Sequence, residues 1–542
     1  MKKLIKTFEL LFCSLILLIS GGCYSLHQPK EVFEFPDYSE ADAVENEKKR
    51  IDSLEEKTPV YALWRSLILN DSEFYLQKQT VVFDLLEKCL KDKDYFKAYS
   101  LYQSLSASGC ENLSRSLVSE KILAEEFYKN VPGLVTDTGL LPKTIQNCID
   151  ATVTIWVDKG ISIHNGIGYA DRVLGSGFFI DKRGYLITNH HVINDMVDPK
   201  YEGYSRLYIK LASDQDTRIP AKVIGYDSVL DLALLKAEID PPYILSLGSS
   251  QDLQIGDKVS AIGTPLGLHG TLTSGIVSAV DRKLFTTGEV LQIDTPVNSG
   301  NSGGPLIDKN MRVQAIVFAG IQQYQGLNFA IPVEYLRQDL PFLYHGGKRE
   351  HGWIGSYGHT KRDGNKNVGL EIQYVMPGGV ASRAGLVPGD VITFVQGKRI
   401  YSLEMFQDIL RNYSSESIIK CSYTRDGVSN DAVLYLEKRP EQPGYEIYKH
   451  DLISHSFLPI FGMKLESCST ISSKKYVISD ILKGSIADES GFSVTDPVYI
   501  TDVDFSEKKD AVSVQMNTRK RKKGYLDVTI RIGSQLDSPY YF

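Results

Sequence analysis

The sequence predicts a multidomain chain: an all-α segment near its start, a large all-β body with the texture of a double β-barrel, and two smaller domains after it. Three observations carry this prediction. Between Tyr61 and Asn130 apolar residues recur at helical spacing with no strand signals among them. From Lys143 to His345 many short apolar runs alternate with turn signals. Beyond Gly347 the run from Val375 to Ile392 is echoed more weakly between Ile481 and Phe492. At 542 residues the chain has room for three or four domains.

Composition narrows the function classes. The net charge of −7 argues against nucleic acid as the main partner. The ten histidines show no His-Glu-x-x-His spacing, so neither a metal nor any other cofactor is implied. Setting aside Cys13 and Cys23 leaves Cys89, Cys110, Cys148, Cys421 and Cys468, an odd and scattered set that fits neither a disulfide framework nor a zinc pattern. Buried free thiols are expected, with a Cys89–Cys110 bridge as the alternative.

Taken in order, the chain opens with Lys2, Lys3 and Lys6, followed by an apolar run from Leu10 to Ile19 that ends in Ser20-Gly21-Gly22-Cys23. The run is too short to span a bilayer and has the layout of an export signal. Its end resembles a bacterial lipoprotein cleavage site. That resemblance implies a signal over residues 1–23 with Cys23 as the lipidated residue; plain cleavage and an uncleaved anchor are the alternatives. Either way the mature protein is expected outside the cytoplasm.

Residues 24–58 are polar and acid-rich, with Glu31, Glu34, Asp37, Glu40, Asp42, Glu45 and Glu47 close together, and read as a flexible tether. Residues 59–134 read as a helical domain, with helices over Phe74–Leu90, Tyr95–Leu105 and Leu113–Phe127. The stretch Lys93 to Tyr102 has the Ala-and-aromatic texture of a tetratricopeptide-like hairpin.

The body, residues 135–345, carries the chemistry. Asp294-Thr-Pro-Val-Asn-Ser-Gly-Asn-Ser-Gly-Gly-Pro-Leu306 centres on Ser302. A serine hydroxyl needs a base and pre-aimed donors to act as a nucleophile. Gly300, Gly303 and Gly304 give the backbone freedom for the N–H groups around Gly300, Asn301 and Ser302 to form an oxyanion hole. Upstream, Gly175-Ser-Gly-Phe-Phe-Ile-Asp-Lys-Arg-Gly-Tyr-Leu-Ile-Thr-Asn-His-His-Val192 reads as two strands with His191 at the end of the second. Asp231 heads the apolar strand that follows Leu230. The order His191, Asp231, Ser302 is that of the chymotrypsin arrangement. Gly300-Asn-Ser-Gly-Gly304 also matches the α/β-hydrolase elbow, but an elbow leads into a helix, whereas Pro305 precedes a turn and the strand Val313–Ala319. His190 and Asp227 are the competing base and acid. Adjacent strand positions face opposite ways, so only one of the two histidines can serve.

Gly-Ser-Gly-Phe, Thr-Asn-His-His-Val, Asp-Leu-Ala-Leu-Leu-Lys, Gly-Asn-Ser-Gly-Gly-Pro and Leu327-Asn-Phe-Ala-Ile-Pro332 together resemble the HtrA/Deg serine proteases over roughly residues 142 to 440. The resemblance implies a chymotrypsin-like double β-barrel serine endopeptidase. In it His191 is the base, Asp231 its orienting acid and Ser302 the nucleophile. It further implies that Val297, Ala319, Gly320 and Ile321 line a pocket for small or medium aliphatic side chains. Gly263–Gly270 and Gly320–Gly326 would be loops that switch between inactive and active arrangements. Pro296 stands where trypsin-like enzymes of basic specificity carry a carboxylate, so no basic preference is implied.

The stretch Val375-Met-Pro-Gly-Gly-Val-Ala-Ser-Arg-Ala-Gly-Leu-Val-Pro-Gly-Asp-Val-Ile392 resembles the signature of an HtrA-type PDZ domain, placed at residues 346–441. Ser402 to Leu410 would be its groove helix, with Ser402 as N-cap. Trp353, Ile354 and Gly355 stand where the loop that captures peptide C-termini belongs, with Ser356 in place of the usual apolar residue. A degenerate PDZ-like domain is placed at residues 442–542, where Arg519-Lys-Arg-Lys-Lys523 reads as a solvated hairpin tip.

The leading expectation is a lipid-anchored serine endopeptidase of the bacterial cell envelope, on the periplasmic or surface side, acting on unfolded or damaged proteins. HtrA proteins usually form trimers or multiples of trimers. The alternative is a peptide-binding, chaperone-like or scaffold lipoprotein whose protease domain is silent or conditionally active.

Overall fold

The computed structural model describes residues 33, 36, 41–69, 71–110, 113, 118–135, 137–197, 205–264, 270–283, 288–298, 300–320, 327–468, 475–521 and 525–542. The leader with Cys23 lies outside them, as do Ile321 and most of the two glycine-rich loops. Residues 36–375, 379–440 and 537–542 form one compact unit, and residues 376–378 with 441–536 form another. Among the described residues no helix is long and apolar enough to cross a membrane.

Five helices open the first unit: α1 (Ala41–Glu55), α2 (Pro59–Ile68), α3 (Ser72–Asp92), α4 (Tyr95–Ala107) and α5 (Glu120–Tyr128). The expected tether over residues 24–58 therefore contains a helix. Three of its acids are paired with basic residues of the next two helices. Glu47 pairs with Arg65 of α2, Asp52 and Glu55 (2.5 Å) pair with Lys78 of α3, and Ile51 is fully buried between them. Asp71 caps α3 by accepting from the Phe74 N–H at 3.1 Å, and Asp94 caps α4 through the Lys97 N–H at 3.1 Å. Between these helices Lys93 turns the chain in the left-handed region, φ 59°.

The body follows as α6 (Ile145–Asp150), then β1 (Thr152–His164), β2 (Ile167–Asp181), β3 (Tyr185–Thr188), α7 (His190–Val197), β4 (Arg206–Leu211), β5 (Asp214–Asp227) and β6 (Leu232–Ala237). These strands pair in the order β5-β4-β1-β2-β3-β6, and β5 pairs with β6 to complete the ring. A second closed barrel, β10-β11-β12-β9-β8-β7, is built from β7 (Lys258–Gly263), β8 (Thr271–Lys283), β9 (Glu289–Ile293), β10 (Pro305–Ile307), β11 (Val313–Gly320) and β12 (Asn328–Pro332). The double barrel expected from the turn rhythm is present. Helix α8 (Val333–His345) closes it, and β13 (Gly347–Lys348) joins the edge of β5.

After β14 (Gly352–Trp353), which pairs with β21 (Glu437–Lys438), a five-stranded sheet runs in the order β15-β16-β17-β19-β20. Its strands are β15 (Ser356–Asp363), β16 (Lys366–Val375), β17 (Val391–Val395), β19 (Ile418–Arg425) and β20 (Val428–Tyr435), with the short β18 (Lys398–Arg399) on β17. Helices α9 (Val380–Arg383) and α10 (Leu403–Leu410) flank it, and Ser402 caps α10 through the Met405 N–H as expected. This domain shares one apolar core with the helical bundle: Leu63, Trp64, Leu86, Leu105, Phe406 and Leu434 belong to it.

The second unit carries α11 (Pro443–His450), α12 (Ile453–Phe461) and α13 (Ile486–Glu489). Its sheet is β22 (Met463–Ser467), β23 (Lys475–Ile481), β24 (Pro497–Phe505), β25 (Ala511–Arg521) and β26 (Tyr525–Gln535), with neighbours in sequence order. The expected domain of residues 442–542 is six residues too long, because Asp537–Phe542 belongs to the first unit. Of the cysteines, Cys89, Cys110, Cys148 and Cys421 are free and buried, while Cys468 is free but exposed.

Candidate active site

His191 lies in the first turn of α7 rather than on a strand, because β3 ends at Thr188 and the chain bends at Asn189. The choice between the two histidines is thus made by helix geometry. His190 turns back to stack on Tyr226 with ring centres 5.1 Å apart, and burial pushes its imidazole below the ordinary value. His191 is left on the accessible side.

Asp231 sits immediately before β6 with φ 55°, a left-handed conformation that a non-glycine residue adopts only under local constraint. The constraint is visible. Asn189 Nδ2 donates to the Asp231 carbonyl at 2.8 Å, and the His191 N–H donates to Asp231 Oδ1 at 2.8 Å. The other carboxylate oxygen, Oδ2, stands 2.7 Å from His191 Nδ1. The carboxylate thus grips both backbone and ring of the same residue, which fixes the ring's orientation and places the proton on Nδ1. Burial disfavours the imidazolium, but the Asp231 hydrogen bond and charge outweigh it, so His191 lies above its ordinary value.

Ser302 lies in the loop between β9 and β10. Gly300 and Gly303 have φ of 101° and 84°, and a Cβ on Gly303 would stand 2.2 Å from the Ser176 carbonyl and 2.3 Å from Thr188 Oγ1. The loop can pack this closely against the start of α7 only because that residue is glycine. Ser176 holds it from the other side: its N–H donates to the Ser302 carbonyl at 2.8 Å and its Oγ to the Gly300 carbonyl at 2.6 Å. The Val192 side chain and the Ser302 carbonyl both close on Gly175. The three elements that carry His191, Asp231 and Ser302 therefore meet at one place.

The hydroxyl of Ser302 donates to the Phe318 carbonyl at 3.3 Å, and no hydrogen bond joins it to His191 among the described residues. Of the expected oxyanion donors, the Asn301 N–H is already engaged by the Asn298 carbonyl at 3.0 Å. The N–H groups of Gly300 and Ser302 have no partner among the described residues.

Val297 packs half-buried against the core of the second barrel. Ala319 and Gly320 end β11, opposite Phe329 and Asn328 of β12. Asp227, the rival acid, is fully buried at the end of β5 and pairs with His351 Nε2 at 2.6 Å, away from His191. Ser176, Asn189 and Phe318 were not singled out in the sequence. The first two stood inside motifs read only for their glycines and histidines, and the third acts through its carbonyl, which sequence does not mark.

Trp353 and Ile354 are buried in the core of their domain, and Gly355, φ 78°, turns the chain into β15. The groove beside β15 holds residues of this same chain. Ser356 N–H donates to the Phe542 carbonyl at 2.9 Å and the Phe542 N–H returns a bond to the Ser356 carbonyl at 3.0 Å.

Four family profiles match the chain: a trypsin-like peptidase domain over residues 175–316, a PDZ domain over 371–419, the TP0546 family PDZ domain over 444–536, and a domain of unknown function over 42–126. Among curated relatives, a probable periplasmic serine endoprotease DegP-like of Halomonas elongata is 32% identical over 287 residues, 50% of this chain and 57% of that protein. A protein of the same description from Hahella chejuensis is 37% identical over 238 residues, 42% of this chain and 49% of that protein. The chain spans about half the length of these relatives. Among solved structures, the HtrA-type protease AlgW with decapeptide matches at 24% identity and TM-score 0.45, over 55% of this chain and 99% of that one.

Proposed function

We propose that this chain, a trypsin-like peptidase domain joined to two PDZ domains and homologous over half its length to DegP-like endoproteases, is an HtrA-type serine endopeptidase of the cell envelope. Its substrates are unfolded or damaged proteins. Ser302 Oγ attacks the scissile carbonyl, and His191 Nε2 takes its proton and later returns it to the leaving amine. Asp231 holds the proton on Nδ1 and stabilises the imidazolium. The N–H groups of Gly300 and Ser302 receive the oxyanion, with the Asn301 peptide as their rigid link. The observation that carries the reading is the double grip of Asp231 on His191, which leaves Nε2 as the free nitrogen of a fixed tautomer.

Val297, Ala319, Gly320 and Ile321 are assigned to the side-chain pocket, and Trp353, Ile354 and Gly355 to the loop behind the peptide groove. Membrane attachment through Cys23 and assembly as trimers or multiples of trimers complete the proposal. Gel filtration and mass spectrometry of the mature N-terminus test those two parts.

The Ser302 hydroxyl turned to Phe318 favours a conditionally active enzyme, since attack requires rotation of Ser302 toward His191. A peptide-binding scaffold with a silent protease is the competing reading. Casein degradation by the wild type and by Ser302→Ala separates them. The substitution should lower turnover on the order of a millionfold. Equal degradation by both proteins would remove the protease assignment, and binding of unfolded casein without cleavage by the wild type would favour the scaffold.

A further inference from the structure

The first PDZ domain presents β15 as a sheet edge, a row of backbone donors and acceptors that invites another strand. Residues Asp537–Phe542 occupy it. The bonds between Ser356 and Phe542 run both ways, the Gly358 N–H donates to the Tyr540 carbonyl at 3.2 Å, and Tyr357 stands opposite Tyr541 in antiparallel register. The spacing of two between Ser356 and Gly358, matched by Phe542 and Tyr540, is that of a regular antiparallel ladder.

The side chains fill the groove on both walls. The Phe542 ring packs 5.2 Å from Phe406 of α10 at 66°, and Gln407 of the same helix donates from Nε2 to the Pro539 carbonyl at 2.5 Å. Tyr541 lies 5.4 Å from Tyr357, and Tyr540 lies 4.1 Å from His359. Phe542 and Tyr541 are 3% and 2% exposed, so the segment is embedded rather than laid on the surface. At its other end Asp537 meets Arg439 through both guanidinium nitrogens.

We infer that segment Asp537–Phe542 is a built-in ligand of the first PDZ groove, so that a peptide from another protein can bind there only by displacing it. The inference rests on the reading of that groove as a peptide site and adds that the site is already filled. A tethered ligand acts at an effective concentration of about millimolar. A free peptide therefore binds with its affinity multiplied by the small fraction of chains in which the groove is open.

The test is fluorescence anisotropy with a labelled peptide of sequence Asp-Ser-Pro-Tyr-Tyr-Phe, on the full chain and on the same chain lacking residues 537–542. Both carry Ser302→Ala, so the outcome does not depend on proteolytic activity. Removal of the segment should tighten binding at least tenfold, and the amides of Ser356 and Gly358 should lose hydrogen-exchange protection until peptide is added. If removal unfolds the chain, Phe542→Ala combined with Asp537→Lys weakens the segment while keeping its backbone, and the same gain is expected. Equal affinity for intact and altered chains would overturn the inference while leaving the groove a peptide site. Binding by neither, with both chains folded, would overturn the reading of the groove as well.

Discussion

At the scale of single residues the decisive arrangement is the pair His191–Asp231. Its ring acts as a base only when neutral, and Asp231 raises its pKa above the ordinary value of 6.5. The specificity constant kcat/KM should therefore climb with pH through a midpoint above 6.5. Asp231→Asn removes the negative charge, so the midpoint should move down while kcat falls by about 10⁴-fold. The same shift makes the pair's contribution to stability full below the unfolded histidine value and lost as pH rises through the folded one. A pH–rate profile of both proteins on one fluorogenic peptide checks this; an unmoved midpoint would detach Asp231 from His191. The three proposed positions could be named from the sequence because each sits in a short motif and their order is that of the chymotrypsin arrangement. The rotation of Ser302 toward Phe318 was not, since the acceptor is a main-chain carbonyl that any residue supplies.

At the scale of elements, β5, α8 and the strand β13 that follows it are locked by a buried cluster. Asp227 accepts from the N–H groups of Val229 at 2.7 Å and Leu230 at 3.0 Å as well as from His351. Asp339 on α8 accepts from Arg349 at 3.3 Å, and Arg349 also donates to the carbonyls of Arg411 at 2.9 Å and Tyr413 at 3.0 Å. Burial opposes the charge on Asp227, but His351, Asp339 and the Leu230 N–H more than offset it and hold its carboxyl far below the usual range. Burial and the neighbouring Asp227 push Asp339 the other way, well above it. Asp339 Oδ2 has no donor among the described residues, as befits a protonated carboxyl beside Asp227. Burial likewise keeps His351 below its ordinary value, hence neutral. The cluster then carries one negative charge, Asp227, against one positive charge, Arg349.

At about pH 4 Asp339→Asn keeps that balance and should change stability by less than about 1 kcal/mol, whereas Asp227→Asn strands Arg349 and should cost about 3–5 kcal/mol. Because the folded pKa of Asp339 is raised, its contribution is full below the unfolded carboxylate value and is lost as pH rises toward the folded one. The wild type should therefore lose ground against Asp339→Asn as pH increases from about 4. Urea denaturation across pH checks both statements, and equal costs for the two substitutions would refute the assigned proton. Sequence marked Asp227 only as a rival of Asp231 for the acid's place, because its partner His351 is distant along the chain. The second PDZ domain shows the converse. Its weak signature was legible, but where the first domain places α10 the strand β24 turns directly into β25, so the second domain has no helix at that point of its chain.

At the scale of the first unit, the helical bundle is fused to the first PDZ domain rather than hung from it. Trp64 is 1% exposed, donates from Nε1 to the Val433 carbonyl at 2.9 Å and stacks with Tyr435 at 6.0 Å, while Tyr61 meets the same Tyr435 ring edge-on at 4.9 Å. Ser104 Oγ accepts from the Ile418 N–H at 3.1 Å. The bundle also reaches the helix that closes the double barrel, where Phe96 stacks on His345 at 3.8 Å and Phe127 lies 6.1 Å from Phe342. Helical periodicity could announce the bundle but not its docking, because the apolar stripe of α2 is the same whether it faces helices or a sheet. A shared core has one thermodynamic consequence: the two parts cannot unfold separately without exposing it. Trp64→Ala should cost about 3–5 kcal/mol, and the loss should register equally in the amides of α3 and in those of Ile419 and Leu434 on β19 and β20. Native-state hydrogen exchange reads both at once. Loss of protection confined to the helices would mean that the bundle is a separate domain resting on the sheet, and the seat of Trp64 against Val433 would then contribute nothing to the stability of the peptide groove.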